Sequence, residues 1–280
     1  MHPYVIEEIK ITQFVQHLQG HGASPGTIEK YRRDVRRFVT WLDGNPASQE
    51  AAVRWRESLL AEGCHPATVN SMLAAANAFF RFMGWSFHAE FLRVQRKTFC
   101  DPRRELTKQD CRRLLETAER LRKDRLSLLL ETIYATGIRV SEVQYITVEA
   151  AKAGKAEISL KGKTRTILLP GKLCRKLLCY AKKHKTASGE IFLTRSGKSI
   201  SRKQVWAEMK ALCQKARIAK EKVFPHNLRH LFARTFYQTC RDVVKLSDIL
   251  GHSSIETTRI YLISSGTEHM RLLERMRMTL

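Results

Sequence analysis

Between Arg93 and Leu106 the sequence RVQRKTFCDPRREL is charged at half its positions, holds Pro102 and loses the helical spacing of apolar residues seen on either side. Such a break forbids one continuous bundle, because each flank must then bury its own apolar stripes. A chain of 280 residues with 43% hydrophobic content can fill two separate cores. We read residues 1–97 as a first helical domain, 98–106 as a linker and 107–280 as a second domain.

In the first domain, residues 5–20 show apolar residues at helical spacing and stop at Gly20 and Gly22. Ser24-Pro25 opens a second helix in which Ile28, Tyr31, Val35, Phe38, Val39 and Leu42 form one stripe. Lys30, Arg32, Arg33, Arg36 and Arg37 lie off that stripe. Asn45-Pro46 ends this run, a third helix covers 48–62, and His65-Pro66 leads into a fourth. The expectation is a small helical bundle. Lys30, Arg32 and Arg36 are candidates for contact with an anionic partner, although a solvated helix face accounts for them equally well.

The second domain is also read as mainly helical. Thr107, with Asp110 three residues on, caps a helix that runs to Arg122, and Arg125–Thr136 is apolar enough to be central in the core. Gly137 breaks that helix, Arg139 sits in the turn, and Ser141-Glu142 fits the start of another helix. Residues 155–170 alternate like two antiparallel strands joined at a cationic tip with Lys161, Lys163 and Arg165. Lysine at such a tip also serves simply to discourage edge pairing. A helix over Lys172–His184, a strand at Ile191–Leu193 and a helix over Arg202–Arg217 capped by Ser201 follow. Residues 225–262 then read as three short helices. Pro225 suits a first turn, and His226 and Arg229 share a face beside His230. Gly251 ends the middle helix, His252 follows, Ser253 with Glu256 makes a capping box, and the last helix carries Tyr261. Met270, Leu273 and Met276 give a short tail helix that should pack on its own domain or on a neighbour.

Cations crowding a helix N-terminus oppose its dipole unless an anion sits between them. That conflict arises at His226, Arg229 and His230, and again at Arg139, where an ion-paired structural arginine is an even alternative. The net charge of +23 favours a polyanion as that partner, nucleic acid before membrane. The excess is uneven: residues 1–100 hold 12 Lys+Arg against 9 Asp+Glu, and residues 101–280 hold 38 against 18. Seven scattered cysteines with no metal-ligand spacing suggest reduced thiols, and no stretch reads as a membrane span or a signal peptide. We therefore expect a cytoplasmic, nucleoid-associated protein. P-loop, dinucleotide and zinc motifs are missing, so no cofactor and no metal are expected.

Four motifs in this order, ATGIRVSE, the KGK hairpin, HNLRHLFA and LGHSSIETTRIY, resemble those of the tyrosine recombinases of the phage-integrase type, which include Xer recombinases and mobile-element integrases. The first helical bundle is similar to that family's SAM-like core-binding domain. The resemblance implies a mostly helical catalytic domain with a small antiparallel sheet, clamped with the first domain around duplex DNA. It makes Tyr261 the nucleophile that becomes linked to a DNA 3′ phosphate, with Arg139 and Arg229 on the non-bridging oxygens. Lys161 would protonate the leaving 5′ oxygen, Lys163 being the competing choice. His226 would assist proton transfer and His252 would hydrogen-bond the phosphate. Glu142 would be a structural partner. Lys163 and Arg165 would join Lys30, Arg32 and Arg36 as DNA contacts. The partners implied are double-stranded DNA bearing a specific site and a homotetramer with tail exchange through residues 268–280. A non-catalytic DNA-binding relative and a type IB topoisomerase are the other readings; the full set of six residues favours the recombinase.

Overall fold

The computed structural model describes residues 6–95, 101–160, 163–252, 254–262, 270, 273–276 and 278. It divides into two compact units, Met1–Arg96 and Lys97–Leu280. The first holds α1 (Glu8–Gly20), α2 (Pro25–Leu42), α3 (Gln49–Ala61) and α4 (Pro66–Phe82). Ser24 and Ser48 cap α2 and α3 by accepting the N–H of Thr27 and Ala51. The apolar stripes of all four helices meet in one aromatic core in which Phe14, Phe38, Trp55, Phe79 and Phe80 are almost wholly buried. Phe38 packs against Trp55 and Phe80 with ring centroids 4.9 and 5.4 Å apart.

The second unit holds α5 (Lys108–Arg120), α6 (Asp124–Thr136), a 3-10 turn at Val140–Tyr145, α7 (Val148–Ala153), the strands β1 (Lys155–Leu160) and β2 (Lys163–Leu168), and α8 (Gly171–Lys183). After these come α9 (Arg202–Ala216), α10 (Pro225–Cys240), α11 (Val243–Leu250), α12 (Ile255–Arg259) and a 3-10 turn at Ile260–Leu262. Thr107 and Asp110 form a reciprocal capping box at α5. β1 and β2 pair antiparallel, Lys155 opposite Leu168 and Leu160 opposite Lys163. Helix α6 buries eight of its thirteen residues, so it is the axis of the core.

Three local expectations need correction. Ile191–Leu193 is not a strand: Ile191 and Phe192 are buried in the core, and that segment makes only isolated bridges, Thr147 to Glu190 and Leu193 to Ser199. An apolar run of that length serves as a core plug as readily as a ladder. The cap of α12 is Ser254, which accepts the N–H of Glu256; Ser253 lies outside the described residues. Helix α12 is also only five residues long, so Tyr261 stands on the 3-10 turn that follows it. Most of the tail also lies outside the described residues; within it Met270, Leu273 and Met276 are more than half exposed.

Candidate active site

Arg229, in the second turn of α10, organises the site. Its side chain is 1% exposed, and a guanidinium can be buried only if its N–H groups find acceptors. Nη1 donates to the Gly137 carbonyl at 2.5 Å and Nη2 to the Leu250 carbonyl at 2.8 Å. Nε reaches the Tyr261 hydroxyl at 3.3 Å, and Nη2 also lies 2.9 Å from His252 Nε2. Burial lowers the pKa of Arg229 to about 10, with Arg139 acting in the same direction, so it stays charged at neutral pH. Both carbonyls come from helix ends. Gly137 ends α6 with φ +66°, where a Cβ would lie 2.3 Å from Phe232, so only glycine brings α6 this close to α10.

The bond from Arg229 fixes the state of His252. Arginine has no acceptor, so His252 Nε2 must carry a lone pair and the ring proton resides on Nδ1. From there it is donated to Thr258 Oγ1 at 2.8 Å, and Thr258 is fully buried. Desolvation and the nearby charges of Arg229, Arg139 and Arg165 lower the pKa of His252 to about 4, which keeps the ring neutral. His226 is shifted the same way, by burial first and then by Arg229 and Arg139.

Tyr261 is 6% exposed and enclosed by imidazoles. Its ring centroid lies 4.3 Å from His230, 5.4 Å from His226 and 5.4 Å from His252. His230, named from sequence among the cations crowding this helix start but given no role in the site, makes the closest of these ring contacts. It lies one helical turn from His226 on the same face. Burial, with His226 and Arg234 adding to it, lowers the pKa of His230 to about 3. Thr258 was missed as well, since a buried threonine in a short helix has no sequence signature.

Arg139 lies across an open cleft of about 860 Å³ whose lining also includes His226, Arg229, Arg202, Lys203 and Trp206. Its side chain is 42% exposed and its Nη1 meets Glu142 at 2.9 Å. Phe224 at the N-cap of α10 offers no side-chain acceptor, Pro225 has no N–H, and the Asn227 N–H donates to the Phe224 carbonyl at 3.0 Å. Arg139, His226, Arg229, His252 and Tyr261 are thus brought together. Lys161 lies outside the described residues, and so does the side chain of Lys163, which opens β2.

The remaining basic candidates are engaged within the protein. Lys30 binds the buried Asp34 at 2.7 Å and the Ser71 carbonyl at 2.8 Å. Arg32 pairs with Glu29 at 2.8 Å and Arg36 with Glu8, leaving both half exposed. Arg165 departs furthest from expectation. It is turned inward onto Glu142 and the Ile249 carbonyl with 15% of its side chain exposed, because the buried Glu142 requires a second cation. Among the described residues no group of three or more His, Cys, Asp or Glu could hold a metal ion, and no helix is long and apolar enough to cross a membrane.

Residues 104–267 match the phage integrase family, and residues 11–86 match its N-terminal SAM-like domain. The tyrosine recombinase XerA of Pyrococcus furiosus is 30% identical over 280 residues, covering 95% of each chain. The tyrosine recombinase XerD of Brucella suis biovar 1 is 30% identical over 289 residues, covering 90% of this chain and 92% of that protein. Among solved structures, the lambda integrase tetramer bound to a Holliday junction aligns with a TM-score of 0.73 at 17% identity, over 90% of this chain and 76% of that one. The XerH recombinase in its post-cleavage complex aligns with a TM-score of 0.70 at 19% identity, over 98% and 90%. With both matched segments and relatives 30% identical over nine-tenths or more of the chain, the chain belongs to the phage integrase family of tyrosine recombinases.

Proposed function

We propose that this protein is a site-specific DNA recombinase that cuts and rejoins duplex DNA through a covalent 3′-phosphotyrosine at Tyr261. The observation that carries the reading is the hydroxyl of Tyr261 held 3.3 Å from Arg229, which together with Arg139 and His226 lines the open cleft. Tyr261 Oη attacks the scissile phosphorus and its proton passes to His226, which burial keeps neutral and able to accept it. The bond from phosphorus to the 5′ oxygen breaks, and that oxygen takes a proton from Lys161. Arg139 and Arg229 neutralise the non-bridging oxygens as charge builds. His252 begins as an acceptor, so it can hydrogen-bond the phosphorane only by taking up a proton, which the added negative charge favours. The phosphotyrosine conserves the energy of the broken bond, and attack by another 5′ hydroxyl reverses the step.

Residues 1–97 would grip DNA as the core-binding domain, 98–106 would link, and 107–280 would carry the chemistry. The relatives bear on the assembly: lambda integrase is described as a tetramer on a Holliday junction, and XerH as bound to its difH substrate. A homotetramer on two duplexes in the cytoplasm, serving integration and excision of a mobile element or dimer resolution, follows by analogy. The exposed Met270, Leu273 and Met276 support exchange of the tail between subunits. A nicked suicide duplex tests the core of the proposal. A covalent adduct that forms with the wild type and vanishes in Tyr261→Phe is expected; no adduct with any cognate site would refute it. Strand exchange between two sites, as opposed to relaxation alone, separates recombination from topoisomerase action.

A further inference from the structure

The cationic hairpin sends one residue inward that the chemistry above does not use. Arg165 stands on β2 opposite Ile158. Its Nη2 pairs with Glu142, whose side chain is 2% exposed, and its Nη1 donates to the Ile249 carbonyl at 3.1 Å. Glu142 also accepts the backbone N–H of Arg139 at 2.7 Å and Arg139 Nη1 at 2.9 Å. Ile249 lies in the last turn of α11, immediately before Leu250, whose carbonyl holds Arg229, and three residues before His252. One guanidinium therefore joins the hairpin, the Arg139 turn and the end of α11.

The arrangement is costly. Arg165 Nε is buried with no acceptor among the described residues, and an orphaned N–H on a buried cation is destabilising. Gly251 has φ +63°, and a Cβ there would lie 2.3 Å from Arg165 Cδ, so the chain end of α11 is pressed against this side chain. A residue serving as a DNA contact would be exposed, and a buried donor left unmet calls for an explanation beyond packing.

We propose that Arg165 is a positioning residue for DNA cleavage: through Glu142 it fixes the guanidinium of Arg139, and through Ile249 it fixes the end of α11 that presents His252. The proposal rests on the recombinase reading. Lysine would not substitute, since a single ammonium lacks the planar fork that spans a carboxylate and a carbonyl.

The test uses the full chain and a nicked duplex whose sequence is selected from a random pool by binding to that chain. Arg165→Gln, Arg165→Lys and the wild type are compared for adduct formation at saturating protein. The same duplex with a methylphosphonate at the scissile position is run alongside, because it removes the charge that Arg139 neutralises. We expect DNA affinity and its salt dependence to stay as in the wild type. Adduct formation on the phosphodiester should slow about 100-fold, the scale of a misplaced catalytic group, with a much smaller loss on the methylphosphonate. Equal losses on both substrates, or no loss, overturn the proposal, as does a salt slope reduced by about 0.9, which would mark a phosphate contact. Should Arg165→Gln fail to fold, Arg165→Lys and Glu142→Gln must show the same pattern or the proposal falls. No adduct from the wild type refutes the recombinase reading and this inference with it; a wild-type adduct with unaffected variants refutes this inference alone.

Discussion

At the scale of single residues, the site is a set of protonation states fixed by neighbours. His252 is held as the Nδ1–H tautomer between Arg229 and Thr258. Thr258→Val removes the acceptor of that proton while keeping the shape, so we expect slower cleavage, on the order of 10-fold or more, with little change in DNA affinity. Single-turnover rates and a binding titration check both halves. The histidines also give a pH dependence. Their folded pKa values lie below 6.5, about 4 for His252 and about 3 for His230, so the unfolded chain binds more protons over that interval. The stability they contribute is fully present above pH 6.5 and is lost as pH falls toward 4. Thermal unfolding midpoints should drop across that window, and less so in His252→Gln. Because His226 must be neutral to accept a proton, the cleavage rate should fall on the acid side only below the usual histidine range.

At the scale of elements, helix ends do more for the site than helix bodies. The ends of α6 and α11 supply the carbonyls that satisfy Arg229, and the start of α10 presents His226. Gly137→Ala would force an L side chain into a left-handed conformation that costs about 1–2 kcal/mol, and its methyl would also meet Phe232 at 2.3 Å. We expect a loss of stability above that figure together with loss of adduct formation, measurable by urea denaturation and the suicide substrate. Thr107→Ala removes one half of the α5 capping box and should cost about 1 kcal/mol without changing the cleavage rate of the folded protein. That contrast separates an end that builds the site from one that only closes a helix.

At the scale of the whole molecule, the two units have separate cores, and three of the four tryptophans, Trp41, Trp55 and Trp85, lie in the first. Residues 1–96 expressed alone should therefore unfold cooperatively, with a tryptophan fluorescence change that matches the first transition of the full chain. A non-cooperative loss would show that the aromatic core needs the second unit. The charge of +23 predicts that DNA affinity falls steeply with salt, with a slope of about −0.9 per phosphate neutralised. The isolated first unit, in which Arg32, Arg33, Arg36 and Arg37 are paired to carboxylates, should show the shallower slope.

The sequence by itself determined most of the long helices, the caps at Thr107 and Ser201, and the hairpin, because periodicity and capping are local properties. It also marked His226, Arg229 and Arg139 as cations in want of an anion, from the dipole argument alone. Only the tertiary structure decided which way the basic residues face. Arg165 resembles Lys161 and Lys163 in sequence, yet it turns inward because Glu142 and the Ile249 carbonyl, far apart along the chain, converge on it. The tautomer of His252, the 3-10 turn under Tyr261 and the stacking of His230 have the same origin. Each is set by a carbonyl, a carboxylate or a ring that folding delivers from another element, and no spacing within one element encodes it.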